Sequence, residues 1–456
     1  ISENLDSLAA LRELFVDRQA DGFHRPVGFL SLWLDFRIFG ASYPWHHIQS
    51  ILLHACNALL ATRLAGRLGF SESTQRWTFP FVLLTPCAFE PVLWPAARFD
   101  LLAVFFSLAY VLFVFAYWST TRYASLLFGI LSFALAAMTK ESAYSAIPVL
   151  GLLAWRTKAP WKPLLHSMLL IAATAVVLLT VRLAIYGSLG GYGFDGAAAG
   201  PHFSVGWRTV TSLLMRLPAM GLLTINTALP SYQSAVWQAV LLAWLLAAGF
   251  FLRFGSRPGE QGNWLTAVVV VASLPVANIV AWFGPSMQHA RYLYWPGIWM
   301  LMFVASTVRA GRRGYLALAL VVLMGTAARY NYGVYESVLV QAHDAGHKAV
   351  RDCAGVPGCQ TIELINLPAS ASGAQSLIKG NAPAGQFGVV ATLSGVESTV
   401  ITLADIATYA VQGDLRILQN NTAFTAAFDV TITSSVNEAA FQVTGRLNQL
   451  PFQASP

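Results

Sequence analysis

Glu90, Arg98 and Asp100 stand in one short stretch, Phe89-Glu-Pro-Val-Leu-Trp-Pro-Ala-Ala-Arg-Phe-Asp100, between two strongly apolar segments. A carboxylate in such a place can take a proton and a guanidinium can hold an anion. Charge beside apolar segments is costly unless it is solvated, paired or used. The pattern recurs at Lys140-Glu141, at Arg182 and at Arg291, each at the end of an apolar run. Basic groups gathered in this way suit a phosphate. The plainer reading is that each side chain snorkels to an interface or pairs locally, Arg98 with Asp100 and Lys140 with Glu141.

The elements that must position these groups are apolar helices. Of 456 residues, 56% are hydrophobic and only 11% charged, with a mean hydropathy of +0.57. Soluble domains carry about 25% charged residues. Apolar stretches recur from about 45 to about 331 and predict spanning helices near 45–65, 77–91, 98–118, 122–139, 142–155, 163–185, 234–253, 264–283, 290–308 and 314–331. This is the pattern of an all-α polytopic membrane protein with about ten spans. After about 340 the chain turns polar, with short alternating runs at 361–367, 389–393, 399–403, 415–418, 427–432 and 440–444. A transmembrane domain over 1–335 and a small β-rich or α+β domain over 340–456 are therefore expected.

Loop charge predicts the orientation. Arg63, Arg67 and Arg76, then Arg122, then Arg156, Lys158 and Lys162, then Arg253 and Arg257, then Arg309, Arg312 and Arg313 occupy alternate loops. The positive-inside rule makes these loops cytoplasmic. Residues 1–44, the turn before Arg98, the Lys140-Glu141 turn, 186–233, 284–290 and everything after about 332 then lie outside. That parity requires a helix before Ile1, and it lays the moderately apolar run 210–229 along the membrane or back into it. The net charge of +7 is a property of these loops. No basic run interleaved with aromatics points to nucleic acid.

Residues 1–44 hold two amphipathic stretches, broken at His24-Arg25-Pro26, with Asp35 and Arg37 interrupting the second. The next helix carries His47, Ser50, His54 and Asn57 along one stripe, which suits hydrogen bonds to neighbouring helices or contact with substrate through His46 or His47. His47 and His54 are two turns apart, too far to chelate one metal, and no HExxH appears. G-x-S-x-G and P-loop motifs are absent, so a hydrolase elbow or an NTPase has no support. Cys56 and Cys87 read as inert packing residues. Cys353 and Cys359 frame a turn-rich loop and are expected to form a disulfide if that region is extracytoplasmic.

Taken in order, His24-Arg25-Pro26, Pro44 with His47 and His54, Glu90-Pro-Val-Leu-Trp94 with Arg98-Phe-Asp100, Lys140-Glu141, Pro275-Val-Ala-Asn278 and Arg291-Tyr-Leu-Tyr294 resemble the GT-C membrane glycosyltransferases. The likeness is nearest to the O-mannosyltransferase-like branch that includes the transmembrane TPR-containing enzymes, though no TPR period is visible here. The resemblance implies an inverting hexosyltransferase of the cell envelope, in a bacterial inner membrane. It would move a sugar such as mannose from a polyprenyl-phosphate donor to a hydroxyl of a protein, lipid or glycan on the outer face. It implies an acidic base early in the first external loop, where Glu3 and Asp6 are the candidates in this chain or the base lies upstream. Relatives often carry Asn where this chain has Ser50. Substrate contacts are assigned to His24, Arg25, His47, Glu90, Arg98, Asp100, Lys140, Glu141, Arg182, Arg291 and Tyr292. The donor phosphate falls to Arg98, Lys140, Arg182 or Arg291, with Arg291, which opens Arg-Tyr-Leu-Tyr at a helix end, first among them. No metal ligand is assigned, and a divalent ion remains a possible helper. A transporter or lipid-carrier flippase and a non-catalytic scaffold are the rival readings; the first would favour midplane charges and repeated broken helices.

Overall fold

A computed structural model describes residues 24–39, 43–93, 97–187, 263–282, 290–308, 314–315, 317–329 and 332–333, together with short strand segments between 361 and 454. The chain divides into two compact units at about residue 332. The described part of the first unit is overwhelmingly helical. Its helices are α1 (Pro26–Phe39), α2 (Tyr43–Arg67), α3 (Glu72–Leu83), α4 (Phe89–Leu93), α5 (Arg98–Thr120), α6 (Tyr123–Ala137), α7 (Ala146–Thr157), α8 (Trp161–Tyr186), α9 (Asn263–Trp282), α10 (Tyr294–Thr307) and α11 (Ala317–Arg329). Short 3-10 turns at Pro86–Ala88, Glu141–Ser145 and Ala290–Leu293 precede α4, α7 and α10.

Two of the described helices, Arg98–Thr120 and Trp161–Tyr186, are long and apolar enough to cross a membrane. The other described segments expected to span are shorter or more polar as helices. At fifteen residues, α6 is about 22 Å long, short of a hydrocarbon core of about 30 Å. The segment expected as one span over 77–91 ends at Leu83 because Pro86 disfavours helix in the residue before it, and the chain restarts as α4. The expected span at 234–253 and the run 210–229 lie outside the described residues.

α5 is the hub of the unit. It packs against α2 and α6, and also meets α1, α7, α8 and α10. Its Leu101, Leu108, Tyr110, Val111 and Val114 are fully buried, and Tyr110 meets Phe133 of α6 with ring centroids 5.4 Å apart. Gly129 lets α6 close on α5: a Cβ there would lie 3.0 Å from Val114 Cγ2. Small residues at such crossings are what apolar helices need for close packing. The opposite case is α8, whose Leu169, Val176 and Val177 are 58–62% exposed. Hydroxyls within these helices bond back to their own carbonyls, as Thr62 does to Ala58, Thr78 to Thr74 and Ser273 to Val269. This satisfies them without water.

The second unit is described only as short strands. β1 (Thr361–Leu364) pairs in parallel with β4 (Glu397–Val400). β2 (Ser370–Ala371) pairs antiparallel with β3 (Ala374–Gln375), and β5 (Leu415–Gln419) with β6 (Thr422–Ala426). β7 (Thr431–Ser434), β8 (Phe441–Leu447) and β9 (Leu450–Ala454) form an antiparallel ribbon.

Gly28 of α1 faces the Phe99 ring so closely that a Cβ would fall 2.7 Å from Cδ1. Phe99 is buried and also meets Phe29 edge-on. Gly28→Ala is therefore expected to destabilise the unit by about 1–3 kcal/mol through overpacking, read as a lowered melting temperature of the purified protein in detergent. An unchanged melting point would show that α1 does not dock on α5 through this contact.

Candidate functional site

The ionisable residues picked out by spacing converge at one end of the helices. That end comprises the N-termini of α1, α2 and α5, the turn between α6 and α7, the C-terminus of α8 and the 3-10 turn before α10. Arg98, Lys140, Arg182, Arg291, Glu90, Asp100 and His24 are all less than a tenth exposed. The opposite ends of α2, α5 and α7 carry Arg63, Arg67, Arg122 and Lys158, exposed to solvent.

Arg98, the first residue of α5, is held from three sides. Nη1 donates to Asp35 of α1 and, at 3.2 Å, to Gln49 Oε1. Nε donates to Ser50 Oγ at 3.1 Å, and Nη2 to the His46 carbonyl at 2.7 Å. Asp35 also faces His46 Nδ1 at 3.1 Å. A carboxylate in that position favours the tautomer with the proton on Nδ1. The Arg98–Asp100 pair foreseen as a local alternative does not form. Residues two apart on a helix do not face each other, and Asp100 instead takes Lys140.

Lys140 and Glu141 likewise do not pair with each other. Lys140 goes to Asp100 and stands over the Tyr292 ring, 4.6 Å from its centroid. Glu141 takes Arg25 through Nε at 3.1 Å and Nη2 at 2.8 Å on one oxygen, and Arg182 Nη1 at 2.8 Å on the other. Burial pushes the Glu141 carboxyl up, but the Arg25 and Arg182 guanidiniums outweigh it and hold the group down at about 2. His24 packs its ring against Tyr186, which also lies under Arg182.

Glu90 is fully buried in α4. Its Oε2 accepts the Arg291 backbone N–H at 3.1 Å and lies 3.5 Å from Nη1. Arg291 leans on Tyr292, donating to its hydroxyl at 3.4 Å. Tyr294 turns the other way, into α2. Its hydroxyl donates to His54 Nδ1 at 2.7 Å and accepts from Asn57 Nδ2 at 3.1 Å. His54 Nε2 donates to the Leu83 carbonyl at 3.1 Å, and Asn57 donates to that of Leu101 at 3.0 Å. The α2 stripe is thus largely structural: His54 and Asn57 lock α2 to α3, α5 and α10. His47 is half-buried against the Val92 carbonyl at 3.4 Å.

Sequence reasoning passed over Asp35 and Gln49 as site residues, and offered His46 only as an alternative to His47 for substrate contact. Asp35 had one signal, an acid inside a Leu- and Trp-rich helix. Glu3, Asp6, Cys353 and Cys359 lie outside the described residues, as do Trp94 and the side chain of Asn278. Of the two other cysteines, Cys87 is buried while Cys56 is exposed on α2, so only the first is a packing residue. Among the described residues no three His, Cys, Asp or Glu side chains are grouped to hold a metal. No protein-family model matches this chain, and neither a curated protein nor a solved structure does.

Two outcomes follow from the pairing. Asp35→Ala leaves Arg98 buried without its carboxylate and is expected to cost about 3–5 kcal/mol, much of it recovered in the double variant Asp35→Ala/Arg98→Met. Additive losses in thermal unfolding would mean that the two residues do not act as a pair. Glu141, held far below its ordinary 4.5, contributes stability that is whole above that value and fades as pH falls from there toward 2. The melting temperature of Glu141→Gln should therefore converge on that of the unaltered protein across this window. A constant gap from pH 7 to pH 3 would contradict the clamp.

Proposed function

We propose that this chain is an integral-membrane, inverting glycosyltransferase of GT-C type, transferring a sugar such as mannose from a polyprenyl phosphate to an acceptor hydroxyl outside the cytoplasmic membrane. One observation carries the reading. Residues scattered from Arg25 to Arg291, most of them in the ordered motifs that resemble this family, meet in a cluster of ion pairs, most of them buried, at a single end of apolar helices.

The membrane setting draws on two further features. Bulky apolar side chains cover the outer faces of α2, α6, α8, α9 and α11. Among the described residues the most exposed aromatics are Tyr123, Trp155, Trp161 and Tyr315, 69–77% exposed, and the first three adjoin Arg122, Arg156 and Lys162 in sequence. Aromatics sit at membrane interfaces and basic loops face the cytoplasm, so the buried charged end is assigned to the outer face. The short helices fit this setting where their polar ends line a cavity rather than meet lipid.

The chemistry asked of the site is a single displacement. The acceptor oxygen forms a bond to the anomeric carbon as the bond from that carbon to the phosphate oxygen breaks. The hydroxyl proton passes to a base, and the lipid leaves as a phosphate monoester. Family likeness puts the base in the first external loop, at Glu3 or Asp6. Basic side chains stabilise the charge that develops on the departing phosphate.

The test is transfer by purified full-length protein in lipid nanodiscs, supplied with labelled mannosyl-phosphoryl-polyprenol and a hydroxyl acceptor peptide. Label should reach the acceptor as the α-anomer from a β-linked donor, with one polyprenyl phosphate released per transfer. Movement of the intact donor across vesicle bilayers without bond cleavage would establish a lipid carrier instead and overturn the transferase reading.

A further inference from the structure

The buried carboxylates are not held alike. Asp35 with Arg98, Asp100 with Lys140 and Glu90 with Arg291 are closed pairs, every side chain less than a tenth exposed. Glu141 differs in two respects. Its side chain is 26% exposed and that of Arg25 17%, so this ion pair can be reached from outside. It is also gripped by two guanidiniums from separate elements, Arg25 at the start of α1 and Arg182 near the end of α8, each taking a different oxygen.

Two guanidiniums that converge on the two oxygens of one anion suit a phosphate as well as a carboxylate. The arms stand on helix ends braced independently of Glu141. Arg182 lies over Tyr186, and Val27, two residues after Arg25, donates its N–H to the Met138 carbonyl at 3.2 Å. Glu141, by contrast, opens a short 3-10 turn and follows Lys140 in extended backbone. The two cations thus stand on helix ends, and the acid stands on a short connecting turn between helices.

We propose that Arg25 and Arg182 form the seat of a lipid-linked phosphate, and that Glu141 is its internal competitor, filling the fork when it is empty and swinging aside when phosphate binds. The anion fork stands on the geometry alone; a polyprenyl phosphate as the source of the anion rests on the transferase reading above. The arrangement has a kinetic use. The donor diester carries one negative charge and the product monoester close to two, so the product is held more tightly. A carboxylate that returns to the fork helps expel it.

The experiment measures binding to the full-length protein in detergent micelles with three probes: a short polyprenyl phosphate, the corresponding polyprenol and inorganic phosphate. Glu141→Gln removes the competitor and should tighten polyprenyl phosphate about fivefold or more, whereas Arg25→Gln and Arg182→Gln should each weaken it about tenfold or more. Glu141→Asp, which withdraws the carboxylate by one methylene, guards against misfolding of the Gln variant and should tighten binding to a lesser degree. Polyprenol should be insensitive to all four changes, and inorganic phosphate should bind more weakly with the same signs and compete with the lipid. Weaker binding in all four variants would make the cluster a structural brace and overturn the proposal. Inorganic phosphate binding that the lipid does not displace would overturn the lipid source. Sugar transfer with unaltered affinities in the variants sinks the fork but not the transferase. The expected affinities in a protein that transfers no sugar do the reverse.

Discussion

Arg98 is the contact on which the charged end depends. A guanidinium cannot lose its proton, so its burial at the head of α5 can be tolerated only if other groups replace the water it gives up. Asp35 supplies the charge, and Gln49, Ser50 and the His46 carbonyl supply the remaining acceptors. Those partners belong to α1 and α2, so satisfying one side chain fixes three helices relative to one another. It also fixes His46, whose Nδ1 shares the same carboxylate. Two residues along, Asp100 extends the arrangement to Lys140, and Glu141 carries it on to Arg25 and Arg182.

Such a network is poor evidence of stability. Buried ion pairs often do no better than apolar residues of the same size. Five cations, Arg25, Arg98, Lys140, Arg182 and Arg291, gathered with four carboxylates, Asp35, Glu90, Asp100 and Glu141, make a costly way to hold helices that already have apolar contacts. The cost makes sense where charge must be present but must not repel itself. An anionic substrate brought to a bare cluster of cations would meet a site unable to stay folded when empty. Carboxylates interleaved with the cations solve that problem.

Membership of this cluster was legible in the chain, but its wiring was not. Charge at the ends of apolar runs is conspicuous, and Glu90, Arg98, Asp100, Lys140, Glu141, Arg182 and Arg291 stand out for that reason. Partners are set by helix phase and by contacts across long stretches of chain. Arg98 and Asp100 point to different faces, so neighbours in sequence go to separate partners, Asp35 far before one and Lys140 well after the other. Asp35 itself read as a break in a surface helix, because a lone acid among Leu and Trp looks the same whether it faces water or a buried arginine. Helix lengths were misjudged for a related reason. Hydropathy sees the apolar run over 77–91 but not that Pro86 separates α3 from α4. That break brings Glu90 back into the cluster, where its oxygen accepts the backbone N–H of Arg291.

The uneven exposure of the pairs decides how the cluster can work. Glu141 and Arg25 are more exposed than the closed pairs, so in the proposed reading an entering group would meet them first. Opening Asp35–Arg98 or Asp100–Lys140 would strand charges less than a tenth exposed, at a cost of several kcal/mol each. Releasing Glu141 moves a carboxylate already one quarter exposed, and in the proposed exchange an anion would take its place on the same two guanidiniums. The inner pairs are therefore the frame and the outer clamp is the part that can exchange. Ligand entry then needs no opening of the helix core, only a change of partner at its rim.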